Sequence, residues 1–305
     1  MSLPKSKLML ISIICAALLA AMALFYFTDE ENKAPETIKI VEASETVQKA
    51  APIDQESTVR NDEAKTILAP LDAVTNADIL LDVSENSKSH IAGSVVIPYT
   101  DFEVQAGVLK PWPEISKILG DAGISREDSV VLYGECLPCG GGPSVATYVY
   151  WIMKSMGHKN VTVLNGTAQD WVAMARATAT DTKVLPGKTY SPTVTANYTA
   201  TYNYVKSGKA QIVDARTLPE FMAQTIPGSI SIPNESVLDR KKIKGEGQLN
   251  KEFVMLDKNR PVVVFTNTGL KASVIWFSLK MMGYDARLYS YKDWMANQPS
   301  KGYLG

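Results

Sequence analysis

Two cysteines spaced Cys136-x-x-Cys139 stand directly before three glycines, Gly140, Gly141 and Gly142, followed by Pro143 and Ser144. The run before them, residues 130–133 (Val-Val-Leu-Tyr), reads as a buried strand. The run after them, residues 143–156, reads as a helix that opens on Pro143 and is capped by Gly157. The thiols therefore lie at a turn from a strand into a helix N-terminus. Backbone N–H groups collect there, hold anions and lower a thiol pKa. Three glycines let the backbone curl inward without steric penalty, and Ser144 adds a hydroxyl donor. A metal site is not expected: a tetrahedral ion wants four ligands, and the chain offers only His90 and His158 besides these thiols. No cofactor is implied.

A second stretch repeats the first. Ile79-Leu-Leu-Asp82-Val-Ser84, Ser89-His90-Ile-Ala-Gly93-Ser94, the strand at 130–133, Gly157 and Trp171 come in that order. Gln211-Ile-Val-Asp214-Ala-Arg216, Thr225-Ile-Pro-Gly228-Ser229, the strand at 262–265, Gly283 and Trp294 follow in the same order. The landmarks recur about 130 residues apart, the length of a duplicated domain rather than a solenoid repeat. In the second copy the loop reads Thr266-Asn-Thr-Gly269-Leu-Lys271, shorter and without a thiol. Asp82 and Asp214, at strand ends, are expected to hold loop backbone, and His90 to fix the turn beside Asp82. Trp171 and Trp294 are expected to anchor helices.

The elements that must position these loops follow from periodicity. In the first copy strands are expected at 79–83, 95–97, 129–133 and 161–164, with helices at 113–119 (stopped by Gly120), 143–156 and 169–176. Residues 186–196, with Pro186, Gly187 and Pro192, read as a linker. In the second copy strands are expected at 210–214, 261–265 and 287–289, with helices from 201, a turn at 219–222, and 270–282. Strands alternating with helices predict an α/β fold, each copy a parallel sheet with helices on both faces.

The order of these landmarks, twice over, resembles the tandem-domain rhodanese family of thiosulfate and 3-mercaptopyruvate sulfurtransferases. The resemblance rests on the strand ends Asp82, Asp214 and Arg216, the turns His90-Ile-Ala-Gly93 and Ile226-Pro-Gly228, the segment from Gly157 to Gly166 with Trp171, and the loop Thr266 to Lys271. It implies two rhodanese-like domains, residues 63–185 and 194–305. It also implies sulfane-sulfur chemistry through a cysteine persulfide. In that family the catalytic cysteine sits in the second domain. Here that position is Thr266, and the thiols are in the first domain.

On that footing Cys139, which directly precedes the glycines, is the candidate nucleophile that carries the persulfide. Cys136 is the candidate resolving thiol, able to displace the sulfur and leave a disulfide. Gly140, Gly141, Gly142 and Ser144 form the candidate cradle. The second loop, with Thr266, Gly269, Lys271 and Arg216, reads as degenerate: a structural partner, or a cradle that still binds a small oxyanion. The donor would be thiosulfate, mercaptopyruvate or a polysulfide, and the acceptor a thiol or a protein. Other readings stay open. The pair could be a permanent disulfide in a binding or assembly module, or a thiol–disulfide redox centre on the same scaffold. The basic run Arg240-Lys-Lys-Ile-Lys244 reads as a solvated loop, with steering of an anion or acidic partner as the sharper alternative.

Location comes from the N-terminus. Lys5 and Lys7 precede an uncharged apolar run over residues 8–27, and Asp29, Glu30 and Glu31 follow it. About 20 such residues cross a bilayer, and the charge asymmetry leaves the bulk outside. Residues 1–27 are thus expected to be a signal anchor, a single-pass transmembrane helix, with a flexible tether over 28–62 and a periplasmic or extracellular body. A cleaved signal peptide ending at Ala21-Met22-Ala23 is the rival. With a net charge of −1 over 305 residues, nothing points to nucleic acid or to a strongly charged substrate.

Overall fold

The computed structural model describes residues 67–75, 78–136 and 141–298. The expected anchor and tether, and Cys139 with Gly140, lie outside the described residues. Among the described residues no helix is long and apolar enough to cross a membrane. The described residues fall in one compact unit.

The first half contains β1 (Leu68–Ala69), β2 (Ile79–Asp82), β3 (His90–Ile91), β4 (Val95–Val96), β5 (Glu103–Gln105), β6 (Val108–Leu109), α1 (Trp112–Asp121), β7 (Ser129–Tyr133), α2 (Ser144–Ser155), β8 (Asn160–Leu164), α3 (Ala168–Ala173) and β9 (Thr178–Ala179). The second contains α4 (Tyr202–Lys206), β10 (Gln211–Asp214), α5 (Leu218–Ala223), β11 (Ile230–Ser231), β12 (Leu238–Asp239), β13 (Lys242–Ile243), α6 (Glu246–Glu252), β14 (Val262–Thr266), α7 (Leu270–Met281), β15 (Ala286–Ser290) and α8 (Tyr291–Ala296). One sheet runs β1-β8-β7-β2-β4 and the other β11-β10-β14-β15. All their pairings are parallel.

The strand period of two sorts side chains to two layers. Val130 and Leu132 of β7 face the same core as Val262 and Val264 of β14, and that core runs through both halves. Val131 and Tyr133 face the opposite layer with Trp171, while Val263 and Phe265 face another with Tyr289 and Tyr291. Each sheet is thus buried on both faces, the reason its strands are apolar without alternation.

The halves meet through α2 and α7, both buried along nearly their whole length. Helices apolar all round belong inside a protein. Tyr150 packs edge-on against Phe277 with ring centroids 5.0 Å apart. Thr147 Oγ1 lies 2.8 Å from Ser273 Oγ, a buried hydroxyl pair across the interface. Ser273 also donates to the carbonyl of Ser144 at 3.2 Å. Gly157 and Gly283 close the two helices with φ of 77° each, and the next amides reach back to Met153 and Leu279 at 3.0 Å.

Several expectations are corrected. The helix expected to stop at Gly120 continues to Asp121 and ends at Gly123, whose φ is +80°. Gly120 is a glycine for another reason: a Cβ there would lie 2.5 Å from the carbonyl oxygen of Lys188. The segment after Pro186 is correspondingly not a loose linker. Lys188 N–H donates to Gly120 and Thr193 N–H to Met156, both at 2.9 Å, so it is pinned along the first half. The hairpins β5–β6 and β12–β13 went unforeseen because two- and three-residue strands have no period to read.

Candidate active site

Asp82 ends β2 and Tyr133 ends β7, the neighbouring strands from which the chain departs in opposite directions across the sheet. A crevice forms at such a switch point. Here it is a cavity of about 430 Å³, lined by Asp82, Ser84, Glu85, Tyr133, Glu135 and Thr167 among others, with Lys241 contributed by the second half. Its floor is tied down. Asp82 Oδ1 accepts the Ser84 N–H at 2.9 Å, and Oδ2 lies 2.7 Å from His90 Nδ1. Tyr133 Oη accepts the Ile91 N–H at 2.9 Å and pairs with Ser94 Oγ at 2.8 Å. Burial pushes the Tyr133 phenol far above its ordinary value, with the Asp82 carboxylate adding to it, so it stays protonated.

The thiol loop leaves β7 beside this cavity. Cys136 is 2% exposed and disulfide-bonded, and its carbonyl accepts the Gly141 N–H at 2.8 Å. Gly141 and Gly142 both take the left-handed conformation, with φ of 78° and 77°. Side chains would strain there, which is the reason for the glycines. Ser144 is the first residue of α2, and its buried Oγ has no hydrogen-bond partner among the described residues.

The second half's loop is built differently. Thr266 ends β14, and its Oγ1 accepts the Gly269 N–H at 3.0 Å. An amide that a cradle would offer an anion is thus taken by the loop's own hydroxyl. Gly269, at φ of 85°, opens α7, and Lys271 is half-buried in its first turn without an ion pair among the described residues. Arg216 does not reach this loop as a free cation. Its Nη2 lies 2.6 Å from Asp214 Oδ2 and donates to the carbonyl of Gln224, while its guanidinium stacks 4.0 Å above Tyr291.

Each loop is roofed by a hairpin from the other half. A Cβ on Gly107, in the β5–β6 turn, would lie 2.8 Å from Thr268 Cα, and Lys292 Nζ donates to the carbonyl of Ala106 at 3.1 Å. Reciprocally, β12–β13 lies over the thiol loop: a Cβ on Gly141 would meet Lys241 Cε at 3.2 Å. In the basic run at 240–244 Arg240 is exposed, while the three lysines are ion-paired. Lys241 pairs with Glu135 at 2.8 Å, Lys242 with Asp170 at 2.9 Å and Lys244 with Glu252 at 2.8 Å. Lys242 and Asp170 thereby tie the hairpin to α3, whose capping box Asp170 completes with Thr167.

A model of the rhodanese-like domain matches residues 62–174 and again residues 198–297. The chain belongs to the rhodanese-like domain family. Its two rhodanese-like domains account for the duplicated landmarks. A Mycobacterium leprae protein named "Putative thiosulfate sulfurtransferase" is 28% identical over 229 residues, covering 67% of this chain and 80% of that one. The sulfur carrier protein TtuD of Thermus thermophilus is 28% identical over 199 residues, covering 56% and 68%. Among solved structures, the 3-mercaptopyruvate sulfotransferase SseA from Escherichia coli superposes with a TM-score of 0.64 at 16% identity, over 73% of this chain and 97% of that one. The Tum1 protein of Saccharomyces cerevisiae superposes at 0.65 with 19% identity, over 76% and 96%. At such identities the structures speak for the fold alone.

Sequence reasoning placed Cys136, Gly141, Gly142 and Ser144 at one rhodanese-like loop, and Thr266, Gly269 and Lys271 at the other. It missed Glu85, Glu135 and Tyr133 as cavity residues. A repeat of the Asp–turn–Gly pattern points to the strand ends, but the loop side chains beside them carry no spacing signal. Among the described residues no group of His, Cys, Asp and Glu is arranged to hold a metal.

Proposed function

We propose that this chain is a membrane-anchored, extracytoplasmic sulfurtransferase in which the first rhodanese-like domain moves sulfane sulfur through a persulfide on Cys139. The observation that carries this reading is the asymmetry of the loops. In the second domain Thr266 has no thiol and its hydroxyl consumes the Gly269 amide. In the first, two left-handed glycines lead into a twelve-residue helix behind the Cys-x-x-Cys. Relatives named for thiosulfate sulfurtransfer and sulfur carriage support the same class.

Cys136 is disulfide-bonded, so the cycle begins with reduction by a dithiol, which is itself oxidised to a disulfide. The Cys139 thiolate attacks the outer sulfur of a donor R–S–SH. The donor S–S bond breaks, R–S⁻ leaves, and the sulfur with its proton remains as Cys139–S–SH. An acceptor thiolate then takes that outer sulfur in the same way. Alternatively, the Cys136 thiolate attacks the inner sulfur, HS⁻ leaves, and the disulfide re-forms. Successive amides at the start of α2 would stabilise the persulfide anion. The basic–apolar–acidic order of the N-terminus supports the anchor and the outside location.

Mass spectrometry of the reduced chain after incubation with polysulfide or thiosulfate tests this. One added sulfur is expected on Cys139, releasable by cyanide, retained in Cys136→Ser and lost in Cys139→Ser. Absence of added sulfur, with equal destabilisation by either change, would instead establish a structural disulfide. Turnover of a disulfide substrate that needs both thiols would establish the redox reading.

A further inference from the structure

Gln211, Val262 and Ala286 are in register, so the turns that precede β10, β14 and β15 lie side by side at the end of the sheet opposite Thr266. The middle turn, residues 253–260, is held firmly. Gln211 Nε2 donates to the carbonyl of Asp257, and Gln211 Oε1 accepts the Asp257 N–H, both at 2.8 Å. Phe253 is buried and packs edge-on against Tyr284, with ring centroids 6.0 Å apart. Yet this fixed turn presents Val254 and Met255 to solvent, 77% and 71% exposed. The same end carries four exposed cations: Lys258 and Arg260 on this turn, Lys206 at the end of α4, and Lys209 just before β10. None of the four is in an ion pair among the described residues. The carboxylates nearby are already engaged. Glu252 pairs with Lys244 at 2.8 Å, Asp257 accepts the Asn259 N–H at 2.9 Å, and Asp285 lies 3.6 Å from Arg287 Nη2.

We infer that this end of the second domain docks on anionic phospholipid headgroups, with Val254 and Met255 inserted at the interface. A rigid apolar tip flanked by free cations is complementary to such a surface: the apolar pair enters the headgroup–acyl boundary and the cations stay at headgroup level. Each Lys or Arg near an anionic bilayer adds about fivefold in affinity. Two apolar side chains are too few for the core of a protein interface, which takes about 800 Å² from each partner. Docking at the start of the strands leaves their C-terminal ends, where Thr266 stands, turned away from the lipid. Neither loop takes part, so the inference is independent of sulfur transfer. The proposed anchor only keeps the face near a bilayer.

The test uses the full chain in nanodiscs of phosphatidylcholine, alone or with phosphatidylglycerol added. Dilute peroxide converts exposed methionines to sulfoxides, and mass spectrometry follows each site. Met222, 76% exposed on α5 beyond the other end of β10, is the reference for Met255. Relative to Met222, Met255 is expected to oxidise about fivefold more slowly, or slower still, when phosphatidylglycerol is present. High salt should remove that protection, and so should Lys209→Glu, Lys258→Glu and Arg260→Glu combined, with the thermal transition retained. If the combined variant does not unfold cooperatively, the salt arm decides alone. Equal relative rates in the two discs, or protection that survives salt and charge reversal, would overturn the inference. Protection that grows with protein concentration in detergent without lipid would assign the face to a second copy instead. Vesicle flotation separates the face from the anchor. A chain that floats only with anionic vesicles and is released by salt keeps the inference, and the anchor reading falls. A chain that floats with neutral vesicles and resists salt, with Met255 equally reactive in both discs, keeps the anchor, and the inference falls.

Discussion

His158 is the buried group whose titration the fold opposes most clearly. It follows the Gly157 turn, is 1% exposed, and stacks on Tyr190 with centroids 5.9 Å apart. Nε2 lies 3.0 Å from the carbonyl oxygen of Asp128 and Nδ1 lies 3.2 Å from the Tyr190 hydroxyl. Burial, reinforced by the neighbouring Lys154 ammonium, holds its pKa down to about 4 from an ordinary 6.5. The unfolded chain therefore binds a proton here below pH 6.5 that the folded chain refuses until about pH 4. Stability from the neutral ring is complete above that window and is lost as pH falls through it. At about 1.36 kcal/mol per pH unit the loss amounts to about 3 kcal/mol. His158→Gln keeps a donor toward Asp128 and removes the titration. Urea unfolding of both chains at about pH 7.5 and about pH 4 isolates the term, because the carboxylates and the other histidine titrate in both. Wild type should lose about 3 kcal/mol more than the variant. Equal losses would show that the ring is already charged, or already solvated, in the folded chain.

Two further changes test the packing and the silent loop. Gly120→Ala gains about 1 kcal/mol of helix propensity but drives a methyl into the Lys188 carbonyl, 2.5 Å from the ideal Cβ. The clash should win by about 1–2 kcal/mol and lower the melting temperature by several degrees in calorimetry; a rise would mean the pinned segment yields freely. Thr266→Cys, made in a chain lacking Cys136 and Cys139, places a sulfur where Oγ1 now meets the Gly269 N–H at 3.0 Å. That thiol is expected to accept sulfane sulfur, detectable by mass, whereas a thiol that stays unloaded would show that the β5–β6 hairpin closes the cradle.

The duplicated fold was legible because burial and periodicity are local. Strands such as 262–266 declare themselves as unbroken apolar runs, and the Gly157 and Gly283 caps sit where a helix must reverse into αL. Asp82 and Asp214 were readable as loop holders, and each accepts an amide two residues on, from Ser84 and Arg216. Gly120 misled because two causes select the same residue: a helix stop and a close backbone approach look alike until the Lys188 segment is placed beside it.

The sequence by itself determined that there are two copies of one α/β unit, that the thiols belong to the first, and that Thr266 stands in the second loop. Those are facts of order, composition and spacing. Only the tertiary structure decided what surrounds the loops. The pairing of Lys241 with Glu135 joins residues more than a hundred positions apart, through a hairpin too short to have a period. The commitment of Arg216 to Asp214, and of the Gly269 amide to Thr266, depends on distances that no spacing rule encodes. The charge of the cavity is a sum over such pairs, so it exists only once the two domains have closed on each other.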